Sequence, residues 1–390
     1  MAGEFDLWEE IQRQESKIQW LAGRHTDPVK RLRYLRKATA IKSRPKRWKT
    51  AALTMFLVLL IAPVYHATDS RRQTQPLMGR EVPPPQFHQP PDQVAEVWLV
   101  ERKAAYEVYS NGLRIETGNS IPHDKRSYAS VSRSSGRLRT DGVQPAGIVY
   151  HTTESHITTF EEGNNARLQR VGQWLVEYVK RQRSYHYVVD RFGRVHRVVE
   201  EEYAADHAGG SMWADQDRIY LGLNHSFLGV ALESQTTPGA DMAEGITDAQ
   251  LHATKVLTEM LRSKYGIPSG NCVTHAQVSV NARSYRIGNH TDWAANFPYQ
   301  RVGLPDNYQL PLASMVFYGF GYGQEFVDAT GSRMWNGLAK SEEHMRQSAA
   351  GQAISVPQYR TKLQQHFRQQ MAELPESPGT GKLRTGRRTR

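Results

Sequence analysis

Cysteine is nearly absent from this 390-residue sequence, in which Cys272 is the single example. One cysteine excludes an intrachain disulfide and any metal site built from several cysteines. The sequence also lacks a repeat of fixed period, and it lacks the HExxH motif that marks many zinc hydrolases. Apolar residues make up 39% of the chain, which is enough for a packed core, and the length admits one large domain or two.

Acidic residues are absent between Lys30 and Lys49, a stretch that holds ten basic residues. The net charge of +11 is therefore uneven: residues 1–49 carry 13 Lys/Arg against 6 Asp/Glu, and residues 68–390 carry 37 against 33. A nucleic-acid-binding arm would explain this basic block, but it would leave the apolar run that follows unexplained. We therefore predict no nucleic-acid partner.

Charged residues are also absent from residues 50–67, TAALTMFLVLLIAPVYHA. A spanning helix needs about 20 apolar residues, with a range of roughly 17–25, and basic residues hold the adjacent end in the cytoplasm. The alternative is a buried helix of a soluble protein, which the flanking charge asymmetry disfavours. The sequence predicts an uncleaved single-pass anchor in the cytoplasmic membrane, with the N-terminus inside and the rest of the chain in an extracytoplasmic or periplasmic space.

The pattern predicts six segments along the chain. These are a cytoplasmic basic segment (1–49), the anchor (50–67), a Pro-rich linker (68–95), a β-rich extension (96–140), a main domain (141–300) and a C-terminal extension with two helices and a basic tail (301–390). The Pro-rich linker predicts an extended spacer. Asn111-Gly112 lies between two strand-like runs and predicts a hairpin turn.

The main domain alternates strand-like and helix-like patterns. A helical stripe covers Leu168 to Val179, and a hairpin is predicted around residues 191–194. Thr247-Asp-Ala-Gln250 has the form of a capping box that opens a second helix, which Gly266 closes. Strands alternating with helices predict an α/β sheet with helices on both faces.

Polar residues cluster where several of these strands end. His151 ends the apolar run GIVYH, His207 precedes an alanine and a glycine pair, and Glu233 ends the run FLGVALE. His275 and Asp292 follow further along. Two histidines and a carboxylate, with water as the fourth ligand, form an open catalytic zinc site, although a histidine at a strand end is more often a satisfied hydrogen-bonding residue. The residue types alone leave both interpretations open.

The order of the motifs adds a resemblance to a known family. The segments GIVYHTTES, SYHYVVDRFGRVHRVV, DHAGGS, NHSFLGVALES, THAQ and HTDWAANFPY occur in one order over residues 141–300. In this respect the chain resembles the N-acetylmuramoyl-L-alanine amidases of the type-2 amidase and peptidoglycan-recognition-protein superfamily. The resemblance implies a mixed central β-sheet flanked by helices, one zinc ion per chain, and hydrolysis of the amide between N-acetylmuramic acid and L-Ala.

The resemblance also implies a set of metal ligands. His151 matches the first zinc histidine, at the end of an IVxHHT-like strand, and His275 matches the second. Asp292 matches the carboxylate in the family's K-T-D-P-G run.

The remaining site residues implied by the resemblance are catalytic or substrate-binding. Glu233 is placed at the Glu of the family's SIGIEL strand and is expected to act as the general base. Tyr185 matches a tyrosine that some members have near the zinc water. His207 and Asn224 match positions that line the substrate groove.

The sequence departs from the family at the third ligand. His290 replaces a lysine that would stabilise the oxyanion, so His290 is expected either to donate a hydrogen bond there or to bind the metal itself. Trp293-Ala294 replaces the family's Pro-Gly. Cys272 is a further conceivable ligand, although its position favours a small buried residue.

These observations predict a membrane-anchored zinc amidase acting on peptidoglycan or muropeptides. The alternatives are a peptidoglycan-binding receptor without catalytic activity on the same fold, which the replacement at His290 favours, and a zinc peptidase that cuts another amide. The sequence does not identify a protein partner.

Overall fold

The computed structural model describes residues 93–155, 158–235, 245–331 and 334–374. The predicted cytoplasmic segment, the predicted anchor at 50–67, nearly all of the linker and the basic tail lie outside these residues. Within the described ranges, no helix combines the length and the apolar character that crossing a membrane requires.

Fourteen strands and eight α-helices form within the described ranges. The strands are β1 (Leu99–Arg102), β2 (Tyr106–Tyr109), β3 (Arg114–Glu116), β4 (Tyr128–Ser132), β5 (Leu138–Gly142), β6 (Gly147–Thr152), β7 (Tyr187–Val189), β8 (Val195–Arg197), β9 (Met212–Ala214), β10 (Arg218–Leu221), β11 (Phe227–Leu232), β12 (Cys272–Thr274), β13 (Val280–Asn281) and β14 (Arg286–Ile287). The helices are α1 (Asn165–Gln182), α2 (Leu223–Ser226), α3 (Asp248–Tyr265), α4 (His275–Val278), α5 (Ala313–Tyr318), α6 (Gln324–Ala329), α7 (Asn336–Gly351) and α8 (Val356–Glu373).

The central sheet is mixed, as the family resemblance implies. Among the described strands its order is β1-β2-β3-β8-β7-β11-β6-β12. Strand β11 runs parallel to both β6 and β7, and β12 runs parallel to β6, whereas β7 and β8 are antiparallel. Strands β4 and β5 of the predicted β-rich extension pair with β10 and β9 in a second sheet, and β1–β3 extend the first.

The two faces of the central sheet are covered by different helices. Every residue of β6 is buried, which is typical of a parallel strand covered on both sides. Because side chains alternate along a strand, Tyr150 faces the core that includes Leu257 of α3, while Val149 and His151 point to the other face. On that other face Val188 packs against the buried residues of α1.

Local signals set the bounds of several elements and confirm their predictions. Thr247 and Gln250 form a capping box at the start of α3, and Gly266 ends that helix in the left-handed region, with φ 64°. Strands β7 and β8 form the predicted hairpin. Strands β2 and β3 pair around Gly112, whose φ is 84°.

The C-terminal extension contains more helices than its sequence predicts. Two helices are expected over residues 301–390, and the described part of that segment forms four, α5 to α8. Helices α5 and α6 have only six residues each, too few for an apolar periodicity to be evident. Met315 of α5 and Phe326 of α6 join the core that contains Val149, as does Phe367 of α8.

Candidate metal centre

His151 is held by the most central part of the sheet. It lies in β6, between β11 and β12, where it pairs with Ala231 in register. Its side chain is fully buried. A parallel strand buried on both faces leaves its backbone little freedom, so the sheet sets the position of the His151 backbone.

His275 reaches the same place from the next strand. It is the first residue of α4, directly after β12, and β12 pairs with β6 so that Thr274 lies opposite Tyr150. His275 therefore stands level with His151. The backbone N–H of Thr274 donates to Oε1 of Gln277 at 2.9 Å, which caps the short helix and fixes where the strand ends.

Asp292 is supplied by a loop whose backbone is held at several points. Its carbonyl oxygen accepts a hydrogen bond from the N–H of Ala276 at 3.2 Å. Trp293, which follows it, has a positive φ of 58° and is fully buried. Such a conformation is costly for a non-glycine residue and persists where the surroundings enforce it. The Trp-Ala pair that replaces the family's Pro-Gly therefore forms a tightly packed turn beside the carboxylate.

The three predicted ligands converge. Asp292 Oδ2 lies 3.1 Å from Nδ1 of His151 and 3.1 Å from Nδ1 of His275. Among the described residues, these three form the one group able to hold a metal ion, with ligand atoms within 4.8 Å of one another. His290 is not part of this group. Cys272 is buried and pairs with Ile148. Ile148 lies three positions before His151, and side chains alternate along a strand. The Cys272 thiol therefore points to the other face of the sheet.

The electrostatics of the cluster suit a bound cation. Burial, together with the neighbouring His275, lowers the pKa of His151 to about 4, so this imidazole is neutral at pH 7 and its lone pair is available. Burial opposes ionisation of Asp292, but the neighbouring His275 imidazole holds its pKa well below the usual range. Two imidazole nitrogens and one carboxylate are the donor set of an open zinc site, and the residues present fit that ion.

Tyr185 and His290 flank the cluster. The Tyr185 ring lies 5.0 Å from the His151 ring, and burial, with the nearby Asp292 charge, raises the pKa of its hydroxyl. Tyr185 therefore stays protonated and can donate a hydrogen bond. The exposed His290 ring stacks on His275 with centroids 4.6 Å apart and planes at 15°. Both rings therefore border the cluster.

Glu233 lies farther from the cluster than the motif match implies. It follows the last residue of β11, and Ala231 rather than Glu233 pairs with His151. Two residues of strand separate the two positions, about 7 Å. When the SIGIEL motif is aligned on Gly229, its glutamate falls on Ala231.

The surroundings of Glu233 are those of an interior carboxylate. It is 3% exposed, and its Oε2 accepts a hydrogen bond from the N–H of Arg191 at 3.1 Å. A Cβ placed on Gly172 of α1 would lie 3.5 Å from the same oxygen, so α1 covers it. Burial raises the pKa of Glu233, and the nearby Asp190 adds to the effect. Its role as the general base stays a prediction.

His207 and Asn224 are interior residues in the structure, with 6% and 7% exposure. His207 Nδ1 lies 3.1 Å from Nε2 of His151. Asn224 Oδ1 accepts hydrogen bonds from the backbone N–H groups of Ala208 and Gly209 at 2.6 and 3.1 Å. These contacts lie inside the protein, and lining of the substrate groove by the two residues stays a prediction.

Gly229 is a residue of the site that the sequence does not single out. A Cβ at this position would lie 2.6 Å from Cγ and 2.8 Å from Cβ of His207. The absence of a side chain in the middle of β11 is therefore what lets His207 approach the sheet. A glycine within a strand pattern indicates such a close approach, so the signal was present in the sequence.

The sheet and the buried His-His-Asp cluster define an α/β domain with a candidate metal centre. Residues 141–294 match the family described as N-acetylmuramoyl-L-alanine amidase. The resemblance to the type-2 amidase and peptidoglycan-recognition-protein superfamily is thus confirmed for this stretch, and it supports a peptidoglycan amidase or a peptidoglycan-binding protein. A comparison with the curated proteins gives no significant match.

Several solved structures are similar to part of the chain. AmpDh3 from Pseudomonas aeruginosa is 18% identical, with 59% of this chain and 94% of that chain covered and a TM-score of 0.32. AmiD from E. coli, in complex with the substrate anhydro-N-acetylmuramic acid-L-Ala-D-gamma-Glu-L-Lys, is 23% identical, with 49% and 71% covered and a TM-score of 0.29. The Drosophila peptidoglycan recognition protein SD is 16% identical, with 43% and 85% covered and a TM-score of 0.27.

Proposed function

We propose that this protein is a zinc-dependent N-acetylmuramoyl-L-alanine amidase, which hydrolyses the amide between N-acetylmuramic acid and L-Ala in peptidoglycan. The observation that carries the proposal is the convergence of His151, His275 and Asp292 within the stretch that matches the amidase family.

His151, His275 and Asp292 would hold one zinc ion. When bound, zinc polarises a carbonyl oxygen and lowers the pKa of bound water to about 7. The protein side chains supply the rest. The pairing of β6 with β12 positions the backbone of both histidines, and the protonated Tyr185 hydroxyl would donate a hydrogen bond to the substrate carbonyl oxygen as charge develops on it. His290, exposed and stacked on His275, is placed to donate a second one.

Proton transfer to the leaving L-Ala nitrogen is assigned to Glu233. Burial raises its pKa above the ordinary value of a carboxyl group, which suits a group that takes a proton and returns it. Because its carboxylate lies beneath α1, a water molecule must relay the proton to the reacting atoms. Tyr185 is the competing candidate for this step, since its ring lies beside His151.

The test is mass spectrometry of purified muropeptides incubated with the zinc-loaded full chain. We expect release of peptides with a free L-Ala amine. His275→Ala should abolish both zinc binding and release. Glu233→Gln should keep zinc and lower turnover by roughly 100-fold or more, the usual scale for a lost general base.

Tyr185→Phe separates the two candidates for proton transfer, with Tyr178→Phe on the exposed side of α1 as its matched control. If Glu233→Gln turns over at the wild-type rate while Tyr185→Phe does not, Glu233 is a structural residue and Tyr185 carries the step. Full activity of the metal-free protein would refute the zinc mechanism altogether.

A second candidate function is peptidoglycan binding without cleavage. His290 supports it, because a histidine carries charge at pH 7 less reliably than the lysine it replaces, and stabilisation of the oxyanion suffers accordingly. In the same experiment, a zinc-loaded chain that binds muropeptides but releases no L-Ala amine would establish this function. His290→Lys should then create or raise amidase activity.

We further propose that residues 50–67 anchor the protein in the cytoplasmic membrane, with the amidase domain outside. The support is the uncharged run and the ten basic residues that precede it. A reporter fused after residue 96 should be exported, and the protein should stay with membranes after a salt wash. A full-length protein found in the soluble fraction would refute the anchor.

A further inference from the structure

His207 connects a metal ligand to the backbone of the sheet. Its Nδ1 lies 3.1 Å from Nε2 of His151, and its Nε2 lies 3.2 Å from the carbonyl oxygen of Phe227. His207 is 6% exposed and belongs to the segment between β8 and β9. These contacts form a chain of three groups that runs from the sheet backbone to the metal centre.

The chain fixes the direction of each hydrogen bond. A carbonyl oxygen only accepts, so Nε2 of His207 carries a proton and donates to Phe227. In a neutral imidazole the other nitrogen then accepts, so Nδ1 of His207 receives the proton of His151 Nε2. Nδ1 of His151 is left with its lone pair, and this is the nitrogen that faces Asp292.

We infer that His207 is a positioning residue, which holds His151 in the tautomer and orientation that present Nδ1 to the metal. The inference rests on the proposed zinc site. Outer hydrogen bonds of this kind orient metal-binding histidines, and their removal typically lowers metal affinity about 10- to 100-fold. Among the described residues, Nε2 of His275 has no hydrogen-bond partner, so His151 is the histidine ligand that the protein orients through its outer nitrogen.

Two features of the fold keep His207 in place. The side chain of Asn224 accepts hydrogen bonds from the N–H groups of Ala208 and Gly209, which follow His207 in the chain. Gly229 leaves the space that the His207 ring occupies against β11. The residues that the sequence suggests for the substrate groove thus act together behind the metal centre.

The experiment measures zinc affinity of the full chain by competition with a chelator. His207→Phe keeps a ring but removes the acceptor, and His207→Asn keeps an oxygen near the position of Nδ1. The matched control is His186→Asn. His186 is a fully buried histidine whose ring meets the His207 ring edge-on, with centroids 5.8 Å apart. Its Nδ1 accepts a hydrogen bond from the N–H of Gly229 and does not contact His151.

We expect His207→Phe to weaken zinc binding about 10- to 100-fold. His207→Asn should recover most of that loss. His186→Asn should leave zinc affinity unchanged while lowering the Tm of the metal-free protein. The absorption spectrum of the cobalt-substituted protein should change with His207→Phe alone. Wild-type zinc affinity in a folded His207→Phe protein would overturn the inference, as would an equal loss with His186→Asn. If His207→Phe does not fold, His207→Leu replaces it in the comparison with His207→Asn. A wild-type chain that binds no zinc would instead refute the proposed function itself.

Discussion

Gly229→Ala tests how closely the sheet and the metal centre are coupled. The added methyl group would lie 2.6 Å from Cγ and 2.8 Å from Cβ of His207, closer than real contacts allow. The Cβ of His207 is next to its backbone, so rotation of the ring cannot relieve the contact. Strand β11 cannot yield either, because it is hydrogen-bonded to β6 and β7. The loop that carries His207 must therefore move away from His151.

Two effects should follow from this displacement. Overpacking of a core typically costs about 1–3 kcal/mol, which for a domain of this size lowers the Tm by roughly 2–6 °C. Displacement of His207 should also weaken zinc binding about 10- to 100-fold. Thermal unfolding of the metal-free protein and chelator competition measure the two effects separately.

Gly118→Ala is the control for this prediction. No atom lies within 4 Å of a Cβ placed there, and its φ is not in the left-handed region. The free energy of unfolding of the Gly118→Ala protein should change by no more than about 0.5 kcal/mol. Its zinc affinity should equal that of the wild type. A Gly229→Ala protein with unchanged Tm and unchanged zinc affinity would show that the contact with His207 does not constrain the site.

Three further outcomes are expected. Burial opposes ionisation of Glu201, but the charges of Arg197 and Lys264 hold its pKa at about 2, below the ordinary value of 4.5. A carboxyl group whose pKa is lowered by folding stabilises the fold at pH values above its ordinary pKa. That contribution is lost as the pH falls through the lowered pKa. Glu201→Gln should therefore cost on the order of 3 kcal/mol at pH 7, shrinking between about pH 5 and pH 2 in denaturant titrations; a loss that does not vary with pH would contradict this. Thr247→Ala removes the cap of α3 and should lower the free energy of unfolding by about 1 kcal/mol, and an unchanged midpoint would count against the cap. Cys272→Ala should keep one zinc per chain by elemental analysis, because the thiol points to the opposite face of the sheet; loss of zinc would make Cys272 a ligand.

The sequence by itself determined the local elements. The capping box at Thr247, the hairpin at residues 191–194 and the turn at Gly112 depend on interactions between residues a few positions apart, so their residue types suffice to predict them. The same holds for β6, whose buried apolar run ends at His151. Each of these features appears in the structure where the pattern places it.

The tertiary structure decided which polar residues meet. His151 and His275 are 124 positions apart, and only the pairing of β6 with β12 brings their rings level. The register of β11 puts Ala231 beside His151 and carries Glu233 beneath α1. His207 is buried behind His151 because Gly229 leaves room for its ring. Register and close packing depend on strands distant in the chain, which hydrophobic periodicity does not encode. The residue pattern therefore predicts the strand ends, whereas the grouping of His151, His275 and Asp292 was predicted only through the resemblance to a known family.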